Sequence, residues 1–231
     1  MLVVSIGAIG IGLVAVVALV LLSGGLGGSS VAAVSPSDIP APAEELRQGR
    51  TLVQPGSTPP VTIEVYEDPQ CGHCATFTKR IEPLLISEFV ADGTASFTYK
   101  DFVVFGGESW DAAAAMRVAE ALDGKFWELH GVIFQNQSGV NDGAYSRDRL
   151  ADMAALVGLD RDEFLREMDD PSYRNAVEAE VLEGNELTIS STPTLVINGE
   201  LIRGTPPWED LAAIIEEAAE TAVPETAVPE A

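Results

Sequence analysis

The chain has 231 residues, of which 36 are acidic and 13 are basic, so its formal net charge is −23. This charge argues against a nucleic-acid-binding protein, because neutralising backbone phosphates requires a basic surface. The length suits one domain of about 100–200 residues with added segments, and two cysteines are too few for a disulfide-rich scaffold.

The N-terminal segment is almost entirely apolar, and no charged side chain precedes Asp38. As a helix, residues 1–22 would extend about 33 Å, enough to cross a hydrocarbon core of about 30 Å. A signal peptide has a basic start and a clear cleavage site, whereas the first basic residue here is Arg47. We therefore predict that residues 1–23 anchor the chain in the lipid bilayer as one transmembrane helix. Removal of this segment as a signal peptide is the alternative.

Two further segments have the composition of linkers. Residues 24–60 are rich in Gly, Ser, Pro and Ala, which predicts a tether with a short helix near residues 44–48 and a short strand at 51–54. At the other end, Thr-Ala-Val-Pro-Glu occurs twice in tandem, so residues 221–231 are expected to form a disordered tail. The folded domain is expected at residues 61–220.

Strand and helix signals alternate at the start of this domain. Residues 61–66 are β-branched and aromatic, which predicts a strand. A helix follows from Cys71, with Leu84 among the apolar residues that fall on one face, and Pro83 should kink it. Residues 96–102 predict a second strand.

The region from about residue 107 to 188 has only helical signals. Ser109, Ser146 and Asp160 are expected to cap three of its helices, and Pro171 is expected in the first turn of another. A strand at residues 194–197, a hairpin turn at Asn198-Gly199 and a final helix complete the domain. The order β-α-β, helical insertion, β-β-α predicts an α/β fold.

The motif that carries chemistry is Cys71-Gly72-His73-Cys74, placed where the first strand leads into a helix. Residues i and i+3 of a helix share a face, so the two sulfur atoms can form a disulfide. The helix N-terminus stabilises the Cys71 thiolate, and a protonated His73 would add to this effect. Cys71 is therefore predicted to be the attacking cysteine, and Cys74 the one that resolves the mixed disulfide.

Two other readings of the motif are weaker. A structural disulfide that closes four residues would remove little chain entropy. A zinc site needs four ligands, and the second histidine, His130, lies far along the chain in an apolar helical stretch, where it and Trp127 are expected to be packing residues.

The sequence resembles the DsbA-like branch of the thioredoxin superfamily over residues 61–219. The resemblance rests on Cys71-Gly72-His73-Cys74, on the helical insertion, and on Ser191-Thr192-Pro193-Thr194 before a strand. It implies a thioredoxin-like fold with a mixed central sheet, and thiol–disulfide exchange by the dithiol without cofactor or metal. It also implies that Pro193 is a cis proline beside the dithiol and that Thr192 contacts substrate backbone.

One residue departs from the pattern of this family. Its members usually carry a buried acid six residues before the first cysteine, where the acid can move a proton to or from the resolving thiol. That position is Val65 here, and Glu64 points to the other face of the strand. Glu67 is a possible substitute, and the acid is left unassigned.

These features predict a membrane-anchored oxidoreductase with its catalytic domain on the extracytoplasmic side, because cytosolic thiols are kept reduced. Its expected partners are reduced exported proteins and a membrane redox protein, DsbB-like or VKOR-like, that reoxidises the dithiol. A reductase or isomerase of the same superfamily shares every motif. A non-enzymatic module that carries a metal on Cys71, Cys74 and His73 is the alternative from another class.

Overall fold

The computed structural model describes residues 41–222, which are built around a six-stranded mixed sheet with the strand order β1-β2-β4-β3-β5-β6. The strands are β1 Arg47–Gln48, β2 Thr51–Leu52, β3 Val61–Glu67, β4 Ala95–Asp101, β5 Thr194–Ile197 and β6 Glu200–Arg203. β3 pairs parallel with β4 and antiparallel with β5, so it has neighbours on both sides. This central position explains why Val61, Ile63 and Val65 are buried.

Helices pack against this sheet and supply most of the remaining core. They are α1 Gly72–Arg80, α2 Glu82–Leu85, α3 Gly107–Asp123, α4 Phe126–Gln135, α5 Arg147–Leu156, α6 Arg161–Glu167, α7 Pro171–Glu186 and α8 Trp208–Ala222. A short 3₁₀ helix covers Glu44–Leu46, and a π-helical turn covers Ile86–Val90. Helices α3 to α7 lie between β4 and β5 in the chain, which confirms the predicted α/β fold with a mixed sheet and a helical insertion.

The helix that follows Cys71 is interrupted as the sequence predicts. α1 ends at Arg80, and α2 begins at Glu82. Pro83 has no N–H to donate and crowds the preceding turn, so the break falls just before it. Helical spacing places Leu84 on the apolar face of this segment, but its side chain is 37% exposed.

The predicted helix starts had different outcomes. Asp160 caps α6 by accepting a hydrogen bond from the Glu163 N–H, and Pro171 opens α7. Ser146 precedes α5 without a capping bond from its side chain. The prediction for Ser109 was wrong, because α3 begins at Gly107 and the buried Ser109 hydroxyl donates to Asp68 Oδ1 at 2.6 Å.

The β-hairpin near the C-terminus is confirmed. Asn198 and Gly199 join β5 to β6 with φ values of 47° and 88°. Both values lie in the left-handed region, which Asn tolerates better than other side chains and which Gly adopts freely.

The folded domain begins upstream of the predicted boundary at residue 61. β1 and β2 pair with each other, and β2 adds to the edge of β4. Arg50, in the turn between them, forms an ion pair with Glu180 of α7 at 2.6 Å. Residues 47–52 are therefore part of the sheet and not of a tether, and α8 likewise continues to Ala222, past the predicted start of the tail.

The predicted anchor at residues 1–23, the first part of the tether and the tail from residue 223 lie outside the described residues. Within residues 41–222, no helix combines the length and the apolar character needed to cross a membrane.

Candidate active site

The two cysteines lie where the central strand β3 passes into α1. β3 ends at Glu67, and Cys71 is the N-cap residue of α1. The side chains are free thiols, with Cys71 5% and Cys74 0% exposed. Gly72 and His73 are exposed between them. A protein substrate that approaches this end of α1 therefore reaches Cys71 before Cys74, which fits the predicted roles.

The Cys71 thiol is strongly acidic in this setting, with its pKa lowered from 9.0 to about 5. The largest cause is a hydrogen bond from the Cys74 thiol, and the Thr192 side chain and the backbone N–H groups of His73 and Cys74 add to it, against the opposing effect of burial. These donors favour the thiolate, as unpaired N–H groups at a helix N-terminus do. Cys71 is therefore a thiolate at neutral pH.

The Cys74 thiol has the opposite character. Burial raises its pKa well above the ordinary value, and its hydrogen bond with Cys71 and the nearby carboxylate of Glu67 raise it further. Cys74 therefore holds its proton at neutral pH and needs a group that takes this proton before it can attack.

A loop from the far end of the chain completes the surroundings of Cys71. The Thr192–Pro193 peptide bond is cis, as the resemblance implied, and Pro193 is buried directly before β5. The Thr192 carbonyl oxygen lies 3.4 Å from Cys71 Sγ and accepts the hydrogen bond of the protonated thiol. The contact of Thr192 with substrate backbone stays a prediction.

The buried Asp68 fixes the other side of the site. Its carboxylate accepts hydrogen bonds from the Ser109 hydroxyl and from the backbone N–H groups of Val104 and Phe105, at 2.6, 2.6 and 3.0 Å. Val104 and Phe105 themselves are 48% and 39% exposed. Asp68 thus holds an apolar loop in place beside the segment that carries the cysteines.

Among the described residues, no hydrogen bond joins the His73 side chain to Cys71. The imidazole is exposed, and it is the backbone N–H of this residue that lowers the pKa of Cys71. Stabilisation of the thiolate by the protonated imidazole stays a prediction.

Glu67 is the residue that the sequence suggested as a possible substitute for the buried acid of the family. It is fully buried, and burial together with the charges of Glu82 and Cys71 raises its pKa well above 4.5. The Cys74 thiol and the Thr78 hydroxyl are near its carboxylate and partly offset this shift, although neither oxygen has a well-formed hydrogen bond. A carboxyl group with these properties can exchange a proton with Cys74.

The sequence analysis missed two neighbours of Glu67. His130 was expected to be a packing residue, and its ring does contact the rings of Phe126, Trp127 and Phe134. Its Nε2 atom, however, lies 3.9 Å from a carboxylate oxygen of Glu67 and 3.9 Å from one of Glu82. The only sequence signal was the presence of two acids and a histidine in otherwise apolar segments.

The proposed metal ligands do not form a cluster in the part of the chain that the structure describes. Within residues 41–222, one group of three His, Cys, Asp or Glu side chains has its ligand atoms within 4.8 Å of one another. This group consists of Glu67, Glu82 and His130. The alternative of a metal carrier on Cys71, Cys74 and His73 therefore has no support from the geometry.

Comparisons with known proteins show which proteins this chain is similar to. A family profile described as thioredoxin matches residues 49–217. Disulfide bond formation protein D of Bacillus subtilis is 24% identical over 159 residues, which cover 68% of this chain and 72% of that protein. Thiol:disulfide interchange protein DsbA of Pseudomonas syringae is 25% identical over 168 residues, which cover 68% and 74%.

The fold is also that of solved structures in this group. The crystal structure of oxidised BdbD from Bacillus subtilis matches with a TM-score of 0.68 at 21% identity, covering 78% of this chain and 96% of that one. Because the thioredoxin profile spans most of the sequence and both relatives are thiol–disulfide proteins, the chain belongs to the thioredoxin family and is a DsbA-like thiol–disulfide oxidoreductase.

Proposed function

We propose that this oxidoreductase donates disulfides to exported proteins from a membrane-anchored position outside the cytoplasm. The observation that carries the proposal is the asymmetry of the dithiol, with the pKa of Cys71 lowered to about 5 and that of Cys74 raised. A stabilised thiolate favours the reduced form of the enzyme, so the disulfide is a strong oxidant.

Disulfide donation then proceeds in two exchanges. A thiolate of the client attacks Cys71 Sγ of the oxidised enzyme, the Cys71–Cys74 bond breaks, and Cys74 leaves as a thiolate that takes a proton from Glu67. A second client thiolate attacks the client sulfur of this mixed disulfide, and Cys71 leaves as a thiolate. The client loses two electrons and the enzyme gains them. A leaving thiol of low pKa makes the second exchange fast.

The surface next to the dithiol suits an unfolded client. Gly72 and His73 are exposed, and the loop with Val104 and Phe105 offers apolar side chains to solvent. Reduced chains that have yet to fold expose apolar residues of their own. The dithiol must then be reoxidised, and a DsbB-like or VKOR-like membrane protein is the partner we propose for this step.

The reduction potential of the Cys71–Cys74 pair tests the proposed direction of exchange. In glutathione buffers, we expect a value at or above about −180 mV, as in protein disulfide isomerase, and well above the value of about −270 mV for thioredoxin. A potential near the thioredoxin value would contradict disulfide donation and favour the second candidate, a reductase of the same family.

The proposed location rests on the apolar segment at residues 1–23 and on the need of an oxidase for a compartment where disulfides persist. We expect the mature protein to fractionate with membranes and to keep residues 3–22 at its N-terminus. N-terminal sequencing that begins near Ala33 would show instead that the segment is removed and that the enzyme is released.

A further inference from the structure

Within the described residues, four buried side-chain atoms at or around Glu67 make no well-formed hydrogen bond. They are both carboxylate oxygens of Glu67, Oε2 of Glu82 and Nε2 of His130. Buried polar atoms are almost always paired, because leaving one unpaired costs about 1–3 kcal/mol. A carboxyl oxygen or an imidazole nitrogen becomes a hydrogen-bond donor when it carries a proton, and a proton shared among these atoms would pair them. The cluster therefore indicates a site where protons reside.

The side chains of Glu67, His130 and Glu82 lie next to one another in a row that begins at Cys74. Glu67 is next to the Cys74 thiol, His130 Nε2 is 3.9 Å from Glu67, and the same atom is 3.9 Å from Glu82. A proton crosses such gaps after a shift of about 1 Å or through one bridging water. His130 Nε2 faces both carboxyl groups, so this one nitrogen can accept a proton from one of them and release it to the other.

The end of this row that is farther from Cys74 reaches a cavity. Glu82 and His130 line a cavity of about 410 Å³ between the α1–α2 segment and α4. Lys79, Pro83 and Gln135, which also line it, are exposed, so its mouth is at the surface. The cavity shares no lining residue with the surface around Cys71 and Thr192. The opening of the cavity is therefore separate from the residues that surround the Cys71 sulfur.

We propose that Glu67, His130 and Glu82 form a proton path between the Cys74 thiol and this cavity. Before Cys74 attacks Cys71 in a mixed disulfide, its proton passes to Glu67 and then through His130 and Glu82 to solvent. When Cys74 leaves as a thiolate, the proton returns along the same path. Glu67 contacts the reacting thiol, whereas His130 and Glu82 act through Glu67. The inference rests on the thiol–disulfide exchange described above but not on its direction.

Other titratable groups face Glu67 from each packed element. Cys71 and Cys74 face it from α1, Tyr99 from β4, Glu82 from α2 and His130 from α4. Burial lowers the pKa of His130 to about 3 and raises that of Glu82 to about 8. At neutral pH the imidazole is therefore uncharged, and Glu82 can both hold and release a proton.

The test is the rate at which Cys74 resolves a mixed disulfide. Reduced protein is mixed with oxidised glutathione, quenched with an alkylating agent and analysed by mass spectrometry, which separates the formation of the Cys71–glutathione disulfide from its resolution. Glu82→Gln and His130→Phe keep shape and packing but cannot carry a proton. Glu88→Gln, an exposed residue of the adjoining π-helical turn, is the matched control.

General acid–base catalysis contributes about 10²–10⁴-fold, so we expect Glu67→Gln to slow resolution by about 100-fold or more. We expect Glu82→Gln and His130→Phe to slow it about tenfold and to change its pH profile, while the first step and the Cys71 pKa stay as in the wild type. A general loss of structure would slow both steps.

Resolution at the wild-type rate in both relay variants, across the pH range, would overturn the proton path. So would purification of the protein with one divalent metal ion that Glu82→Gln and His130→Phe both lose, because the four acceptors would then be metal ligands. A reduction potential near that of thioredoxin would contradict disulfide donation and leave the path intact, so the two proposals fail separately.

Discussion

The acidity of Cys71 depends mainly on its neighbour in the motif, and replacement of Cys74 measures this dependence. The fall in the pKa of Cys71 from 9.0 to about 5 corresponds to about 5 kcal/mol in favour of the thiolate. The hydrogen bond from the Cys74 thiol is its largest cause. A hydrogen bond to a charged group is worth about 1.5–3 kcal/mol, or about one to two pH units.

Cys74→Ala should therefore raise the pKa of Cys71 to between about 6 and 7. Cys74→Ser is the matched control, because its hydroxyl can still donate and should keep the pKa about one unit lower than in the alanine variant. Each variant has a single cysteine, since the chain contains two. Ultraviolet absorbance of the thiolate against pH then reports Cys71 alone.

A pKa that stays near 5 in Cys74→Ala would refute this reasoning. It would assign the acidity to the backbone N–H groups at the start of α1 and to Thr192, which both variants retain. Equal shifts in the alanine and serine variants would likewise exclude hydrogen bonding, and would point to a change in the burial of Cys71.

Four further predictions concern roles and stability. Cys74→Ser should accumulate mixed disulfides with client proteins on non-reducing gels and Cys71→Ser should not; equal amounts would contradict the assigned roles. His73→Ser keeps the backbone N–H and removes the imidazole, so we expect a potential more negative by about 30 mV, or about 1.4 kcal/mol, and an unchanged potential would assign no role to the ring. Arg50→Ala removes an ion-pair partner from the buried carboxylates of Asp101 and Glu180 and should lower the free energy of unfolding by about 3 kcal/mol. Urea denaturation measures this loss, with Arg203→Ala, at an exposed residue, as the control. Burial lowers the pKa of His130 to about 3, below its value of about 6.5 in the unfolded chain. The free energy of unfolding therefore falls as the pH drops from about 6.5 towards about 3, because the unfolded state binds the proton more readily. His130→Phe should resist acid unfolding more than the wild type does.

Much of the fold could be predicted because its signals are local. β-branched runs mark the central strands, Pro83 marks a helix break, and Asn198-Gly199 marks a hairpin turn. Each of these features depends on backbone conformations that neighbouring residues favour or forbid. The position of Cys71-Gly72-His73-Cys74 at a strand-to-helix junction was predictable for the same reason.

Features that depend on contacts between distant residues could not be predicted in this way. A short strand at 51–54 was predicted, but its place in the sheet was not, because β2 pairs with the edge of β4 and Arg50 meets carboxylates of Asp101 and Glu180. Ser109 resembles a helix cap, yet its hydroxyl bonds Asp68 from inside α3. In both cases, the observed arrangement depends on a partner that is remote in sequence.

The sequence by itself determined that this chain has a dithiol at a helix N-terminus, which predicts one activated cysteine and one resolving cysteine. Only the tertiary structure decided which acidic side chain lies next to Cys74. Val65 occupies the usual place of that acid, and β3, α2 and α4 instead bring Glu67, Glu82 and His130 together behind Cys74. The pKa of each group is set by its burial and by neighbours from other elements, and neither can be obtained from the order of residues along the chain.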